Sequence, residues 1–166
     1  GNFHAVKGIS FEVHEGEIFG LLGPNGAGKS TTLEIIETLR EKTSGEVIVD
    51  GYDLDKQPAE IKKIIGVQLQ TSGFYPGLNL VQLIELFCGL YNRNVDAMEL
   101  LYMVNLRDKA KSKVKELSGG QKQRFSVATT LINDPRIIFL DEPTTGLDPQ
   151  ARRSLWELVK TIRERG

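Results

Sequence analysis

The chain has 166 residues, 40% of them hydrophobic and 26% charged, which is the size and balance of one globular domain and excludes a disordered or collagen-like polymer. Lys and Arg (21) nearly cancel Asp and Glu (22), and the resulting charge of −1 argues against a generally basic surface that coats nucleic acid or membrane. Cys88 is the lone cysteine, so no internal disulfide can form, and it reads as a small hydrophobe of a reducing compartment. No apolar run approaches the roughly 18–20 residues that span a bilayer.

In chain order, Ile9, Phe11 and Val13 alternate with Ser10, Glu12 and His14, a pattern that predicts a half-buried strand. Glu15-Gly16 is a turn, and the short apolar run Ile18 to Leu22 predicts a buried strand. After a Gly-rich loop, Leu33, Ile36 and Leu39 form the apolar stripe of a helix over 29–40, with Ser44-Gly45 beyond it. Strands are predicted at 46–50 and 64–69. From Gly77 the period changes: Leu80, Leu83, Ile84, Phe87 and Leu90 mark one amphipathic helix, and Met98, Leu101, Val104 and Leu106 a second. Residues 107–124 hold seven basic and two acidic side chains, which reads as a solvated face. A helix over 119–133 ends at Asp134-Pro135, a strand covers 137–140, and a helix covers 149–164. Strands alternating with helices predict an α/β fold with a mainly parallel sheet, interrupted by a helical insertion over about residues 77–118.

Two loops at strand ends carry the chemistry, and strand ends are where such sheets place ligands. The first is Gly23, Pro24, Asn25, Gly26, Ala27, Gly28, Lys29 and Ser30, followed by Thr31. It fits G-x-x-x-x-G-K-[ST] between a predicted strand and a predicted helix. Glycines let several backbone N–H groups face one anion, and the helix N-terminus adds partial positive charge. Lys29 supplies a cation to the β- and γ-phosphates, and Ser30 a hydroxyl to Mg²⁺. The second loop follows the apolar run 137–140 with Asp141, Glu142 and Pro143. A carboxylate at a buried strand end suits Mg²⁺, the role expected of Asp141, and Glu142 beside it can polarise an attacking water.

With Leu117, Ser118, Gly119, Gly120 and Gln121 ahead of the acidic loop, the sequence resembles the ATP-binding cassette family, the nucleotide-binding domains of ABC transporters. That pentapeptide matches the family signature, Asp141-Glu142-Pro143 its second acidic motif, Gly146-Leu147-Asp148 its D-loop, and Gln70 its Q-loop glutamine. The resemblance covers essentially the whole chain. It implies one partial ABC ATPase domain over 1–166, with a P-loop NTPase core, N-terminal antiparallel strands and a helical subdomain at about 77–118. On its own, Ser118 is a natural N-cap, and Gly119 and Gly120 expose amides at a first helical turn, a second anion site.

The resemblance further implies ATP and Mg²⁺ as ligands, with Ser30, Gln70 and Asp141 at the metal and Glu142, Lys29 and Gln70 at the reacting phosphate. Ser118 and Gly120 would act in trans on the nucleotide of a second copy or a paralogous cassette, and Asp148 would cross that interface. Gln121 and Arg124 would lie along the signature helix, and a permease's coupling helix would dock near Gln70 and Phe74. The wording around both loops is similar to drug-exporter or ABC-2 systems, implying a cytoplasmic ATPase held on the inner membrane face by a permease subunit or domain. No nucleic acid is expected. The alternative is an ABC-type ATPase acting on nucleic acid or ribosomes, although the segment between Gln70 and Ser118 is too short for the long coiled coil of repair types. The family's switch histidine is expected beyond Gly166 and its adenine-stacking aromatic before Gly1, so the chain reads as trimmed at both ends and poor in turnover.

Overall fold

The computed structural model describes residues 4–68 and 73–164. The chain divides into two compact units, at residues 1–65 and 66–166.

The N-terminal unit begins with a turn. Glu17 N–H donates to His14 O (3.1 Å) and His14 N–H donates to a Glu17 carboxylate oxygen (2.9 Å). The turn folds the two flanking arms together, and Phe11 stacks on Phe19 with ring centroids 5.1 Å apart. The strands expected over 9–13 and 18–22 do not form: no ladder hydrogen bond joins the arms among the described residues. Ile18 and Phe19 are exposed and Leu22 is 91% exposed, so this apolar run marks a surface where burial was expected. Apolar sequence makes a strand only when a neighbour supplies both ladder partners and cover.

Helix α1 (Lys29–Ile36) is shorter than the expected 29–40, because Thr38 enters left-handed backbone at φ 62° and ends it. Strands β1 (Ile48–Val49) and β2 (Tyr52–Asp53) form an antiparallel hairpin, with Val49 opposite Tyr52. Its turn is Asp50-Gly51, both at positive φ (52° and 80°), the geometry a two-residue hairpin needs. Asp53 then clamps the chain: its carboxylate accepts from Asp55 N–H (3.0 Å), Lys56 N–H (3.2 Å) and Lys56 Nζ (2.9 Å). The Lys56 ammonium holds the Asp53 carboxyl below its ordinary value, and Asp53 in turn raises Lys56. Helix α2 (Pro58–Ile64), which the sequence reading missed, starts on a proline at its first position and buries Ile61.

Strand β3 (Ile65–Gln68) leads into the C-terminal unit and pairs with β4 (Ile137–Leu140). Asp141 N–H donates to Gln68 O (3.4 Å), so the C-terminal ends of the two strands lie together and the strands are parallel. Between them run α3 (Leu80–Tyr91), α4 (Ala97–Met103), two short 3₁₀ turns and α5 (Gly119–Thr130); α6 (Pro149–Glu164) follows β4. Asn79 caps α3 in a reciprocal pair with Gln82, and Asp96 caps α4 through Met98 and Glu99 N–H. Leu80, Leu83 and Ile84 from α3, Leu101 from α4, Phe125 from α5 and Leu155 from α6 meet in one core. The expected helices at 80–90, 98–106 and 119–133 match α3, α4 and α5 within a few residues, and 149–164 and 137–140 match α6 and β4.

Candidate functional site

The phosphate loop belongs to the N-terminal unit. Gly28 precedes α1 in left-handed backbone at φ 87°, and a side chain there would strike the Ala5 carbonyl. Pro24 O accepts from Ala27 N–H (3.2 Å), curling the loop, and Gly28 O accepts from both Thr32 N–H (2.8 Å) and Thr32 Oγ1 (2.9 Å). Lys29 folds back over the loop: its Nζ donates to Gly23 O (2.8 Å) and Pro24 O (3.0 Å). An ammonium is thereby fixed beside the positive end of α1. A cation at a helix N-terminus, beside amides that have no intrahelical acceptor, is an arrangement that suits a phosphate. Ser30 lies exposed in the first turn of α1, with Thr31 half-buried behind it.

The other candidate residues lie in the C-terminal unit. Asp141 is half-buried at the end of β4, anchored through its N–H on Gln68 O. Glu142 is exposed and in left-handed backbone at φ 45°. Its carboxylate Oε2 accepts from Thr145 Oγ1 (3.0 Å), and its carbonyl accepts from Thr145 N–H (3.1 Å). Gln68 is 4% exposed, and its side-chain oxygen has no hydrogen-bond partner among the described residues. Gln70, expected at the metal, lies outside the described residues.

Ser118 caps α5 as expected. Its Oγ accepts from Gln121 N–H (3.3 Å) and Gln121 Oε1 accepts from Ser118 N–H (2.9 Å). The cap uses the hydroxyl as acceptor, which leaves its O–H to donate. Gly119 and Gly120 occupy the first two helical positions, where N–H groups have no intrahelical acceptor. Asp148 Oδ1 accepts from Gln150 and Ala151 N–H (2.9 Å each), so it caps α6. The two helix starts are packed together: a Cβ on Gly120 would lie 2.9 Å from Ala151 Cβ, and one on Gly119 3.9 Å from Leu147 Cδ2. Further along, Arg124 Nη1 donates to Ser154 Oγ (3.3 Å). The structure thus brings the signature and D-loop residues together on one seam.

Three features escaped the sequence reading. The sequence reading assigns Thr145 no role, although a hydroxyl three residues after a carboxylate in a turn is a readable signal. The α5–α6 seam had no signal beyond the small residues Gly120 and Ala151. Phe74, near which a partner is expected to dock, is half-buried and also packs within its own unit, 5.1 Å from Phe125 and edge-on to Phe87 at 6.4 Å between centroids.

The profile described as ABC transporter matches residues 6–145. The linearmycin resistance ATP-binding protein LnrL of Bacillus subtilis is 41% identical over 166 residues, covering 97% of this chain and 53% of its own length. The doxorubicin resistance ATP-binding protein DrrA of Mycobacterium tuberculosis is 39% identical, covering 100% of this chain and 52% of its own. The chain therefore spans about half the length of the curated relatives it matches. Among solved structures, the dimeric cassette MJ0796 in a post-hydrolysis state with ADP and Pi aligns at TM-score 0.81 and 34% identity, over 97% of this chain and 75% of that one. The cassette MJ1267 aligns at TM-score 0.87 and 26% identity, over 100% of this chain and 74% of that one. A phosphate loop, a parallel strand pair ending in Asp141-Glu142 and a capped signature helix, matched over most of the chain, place it in the ABC transporter family, with the α/β fold of a P-loop NTPase.

Proposed function

We propose that this chain is the ATP-binding and ATP-hydrolysing part of an ABC exporter, a single cassette domain with its helical subdomain at about 77–118. The observation that carries the reading is the Lys29 ammonium held on Gly23 O and Pro24 O at the start of α1. That geometry fits the β- and γ-phosphates of ATP, cradled by backbone amides of Asn25 to Thr31. Ser30 Oγ and the Asp141 carboxylate are hard oxygen donors of the kind Mg²⁺ takes, and Gln70 would join them. Bound Mg²⁺ would neutralise charge on the phosphates.

Glu142 accepts a proton from water as that oxygen attacks the γ-phosphorus. The bond to the bridging oxygen breaks, and ADP and phosphate leave. Ser118 O–H and the Gly119 and Gly120 amides reach the γ-phosphate of a second cassette in a head-to-tail dimer, with Gln121 holding the cap and Asp148 at the interface. The dimeric state of MJ0796 supports this arrangement, and the resistance and export names of relatives support export. No helix among the described residues is long and apolar enough to cross a membrane. The membrane-spanning part would be a permease subunit or domain, with this chain on the cytoplasmic face.

The test is phosphate release at saturating Mg-ATP. Turnover should fall by about 100-fold or more in Glu142→Gln with nucleotide binding kept, as expected for loss of a general base. Lys29→Ala should lose nucleotide binding. Turnover indifferent to Glu142→Gln would overturn the catalytic assignment.

A further inference from the structure

The basic run at 107–124 has no part in the chemistry above. It holds seven basic and two acidic side chains, a charge of +5 in a chain whose total is −1, so the rest of the molecule carries −6. The positive charge forms one island, and the fold pins that island next to the signature. Leu80 N–H donates to Ser112 O (3.1 Å) and Val81 N–H to Ala110 O (3.3 Å), which straps residues 110–112 across the start of α3. Lys113 N–H donates to Glu116 Oε2 (3.0 Å), and the strap ends at the buried Leu117, immediately before Ser118. Its two acids are engaged locally, Glu116 on that amide and Asp108 beside Lys109 at 3.7 Å. Lys111, Lys115 and Lys122 are exposed, and no carboxylate pairs with them among the described residues.

The placement works against α5 itself. A helix start favours acidic neighbours, and the first turn of α5 has none. Lys115 lies three residues before the Ser118 cap and Lys122 four after it, at a position from which helical side chains lean back toward the start. Cations around a helix N-terminus cost local stability, and a conflict of this kind is retained where function uses it.

Resting on the head-to-tail reading above, we propose that Lys111, Lys115 and Lys122 form an electrostatic docking surface for the nucleotide-loaded N-terminal unit of a second copy. That unit is complementary in charge: residues 1–65 hold eleven acidic and seven basic side chains, and bound Mg-ATP adds negative charge. In a two-fold dimer the same contact is made twice. Long-range attraction of this kind speeds encounter and fixes register more than it tightens the final complex. A membrane or a nucleic acid calls for a broad basic face, whereas outside 107–124 the C-terminal unit is itself acidic, with nine acidic and seven basic side chains.

The experiment follows association of the Glu142→Gln chain in Mg-ATP by stopped-flow light scattering. Salt is raised from about 0.05 to about 0.3 M, which shortens the screening length from roughly 14 to roughly 6 Å. One variant adds Lys111→Gln, Lys115→Gln and Lys122→Gln. A control adds Lys62→Gln, Arg93→Gln and Lys160→Gln, the same loss of charge from exposed positions elsewhere. The association rate of the parent is expected to fall about tenfold across the salt range. The strap variant should associate about tenfold more slowly than the control at low salt, with a flattened salt dependence. Its affinity for a fluorescent ATP analogue should match the control, and its urea midpoint should not fall, because cations have left a helix start. Equal rates in the strap variant and the control would overturn the proposal and leave the dimer standing. A parent that binds ATP and never dimerises would overturn the head-to-tail reading and this proposal with it. Unchanged association together with strap-dependent binding to phosphatidylglycerol–phosphatidylcholine vesicles, or to duplex DNA, would overturn it too, and would assign the lysines to a membrane or a nucleic acid.

Discussion

Gly28 shows how much one position can carry. It is left-handed at φ 87°, it supplies the carbonyl on which α1 starts, and Ala5 leaves no room for a Cβ. Gly28→Ala adds one methyl group and must move the loop, because the obstacle is a backbone carbonyl and not a flexible side chain. Equilibrium titration with a fluorescent ATP analogue should show affinity reduced about tenfold or more, a loss near 1.4 kcal/mol. The motif spelling around Gly28 made this legible in the sequence. The Lys29 fold-back onto Gly23 O and Pro24 O was not, because a side chain's choice among nearby carbonyls depends on where the loop curls.

The helices of the C-terminal unit are held by caps and by one close seam. Asp148 satisfies two amides at the start of α6. Asp148→Ala should cost about 1 kcal/mol by chemical denaturation, apart from any role the residue has at an interface. The seam is more sensitive. A Cβ on Gly120 would sit 2.9 Å from Ala151 Cβ, closer than carbon atoms rest, so Gly120→Ala must push α5 from α6. The expected loss is about 1–3 kcal/mol, with Gly120→Ala combined with Ala151→Gly recovering most of it, read from the urea midpoint. The Ser118 cap was legible because it is local, its partner Gln121 lying three residues on; the Asn79–Gln82 and Asp96–Glu99 caps have the same spacing and the sequence reading passed over them. The short helix α2 was missed because seven residues give too little periodicity to register, and the return strand β2 was missed although Asp50-Gly51 is a strong hairpin signal.

For the whole molecule, the reading places a second anion-binding helix start, at Ser118, to serve a second cassette. Glu142→Gln should therefore pass from monomer to dimer in Mg-ATP and remain monomeric in Mg-ADP, followed by light scattering. Adding Ser118→Arg to Glu142→Gln should abolish the dimer while ATP binding continues, because the long side chain obstructs the trans contact; the lost α5 cap costs stability as well, read separately from the urea midpoint. A dimer indifferent to both nucleotide and Ser118→Arg would count against the head-to-tail arrangement.

By itself the sequence determined the chemistry that short segments carry: the phosphate loop Gly23 to Ser30, the acidic pair after β4, the capped start of α5, and the helical stretch between β3 and β4. Each depends on residues within a few positions of one another, where turn geometry and capping act. Only the tertiary structure decided that Ile18, Phe19 and Leu22 are exposed, that α5 and α6 meet at Gly120 and Ala151, that Phe74 packs on Phe125, and that the Thr145 hydroxyl donates to Glu142. Burial, close approach and the choice of a hydrogen-bond partner depend on what the folded chain packs against each residue, and no local pattern encodes that.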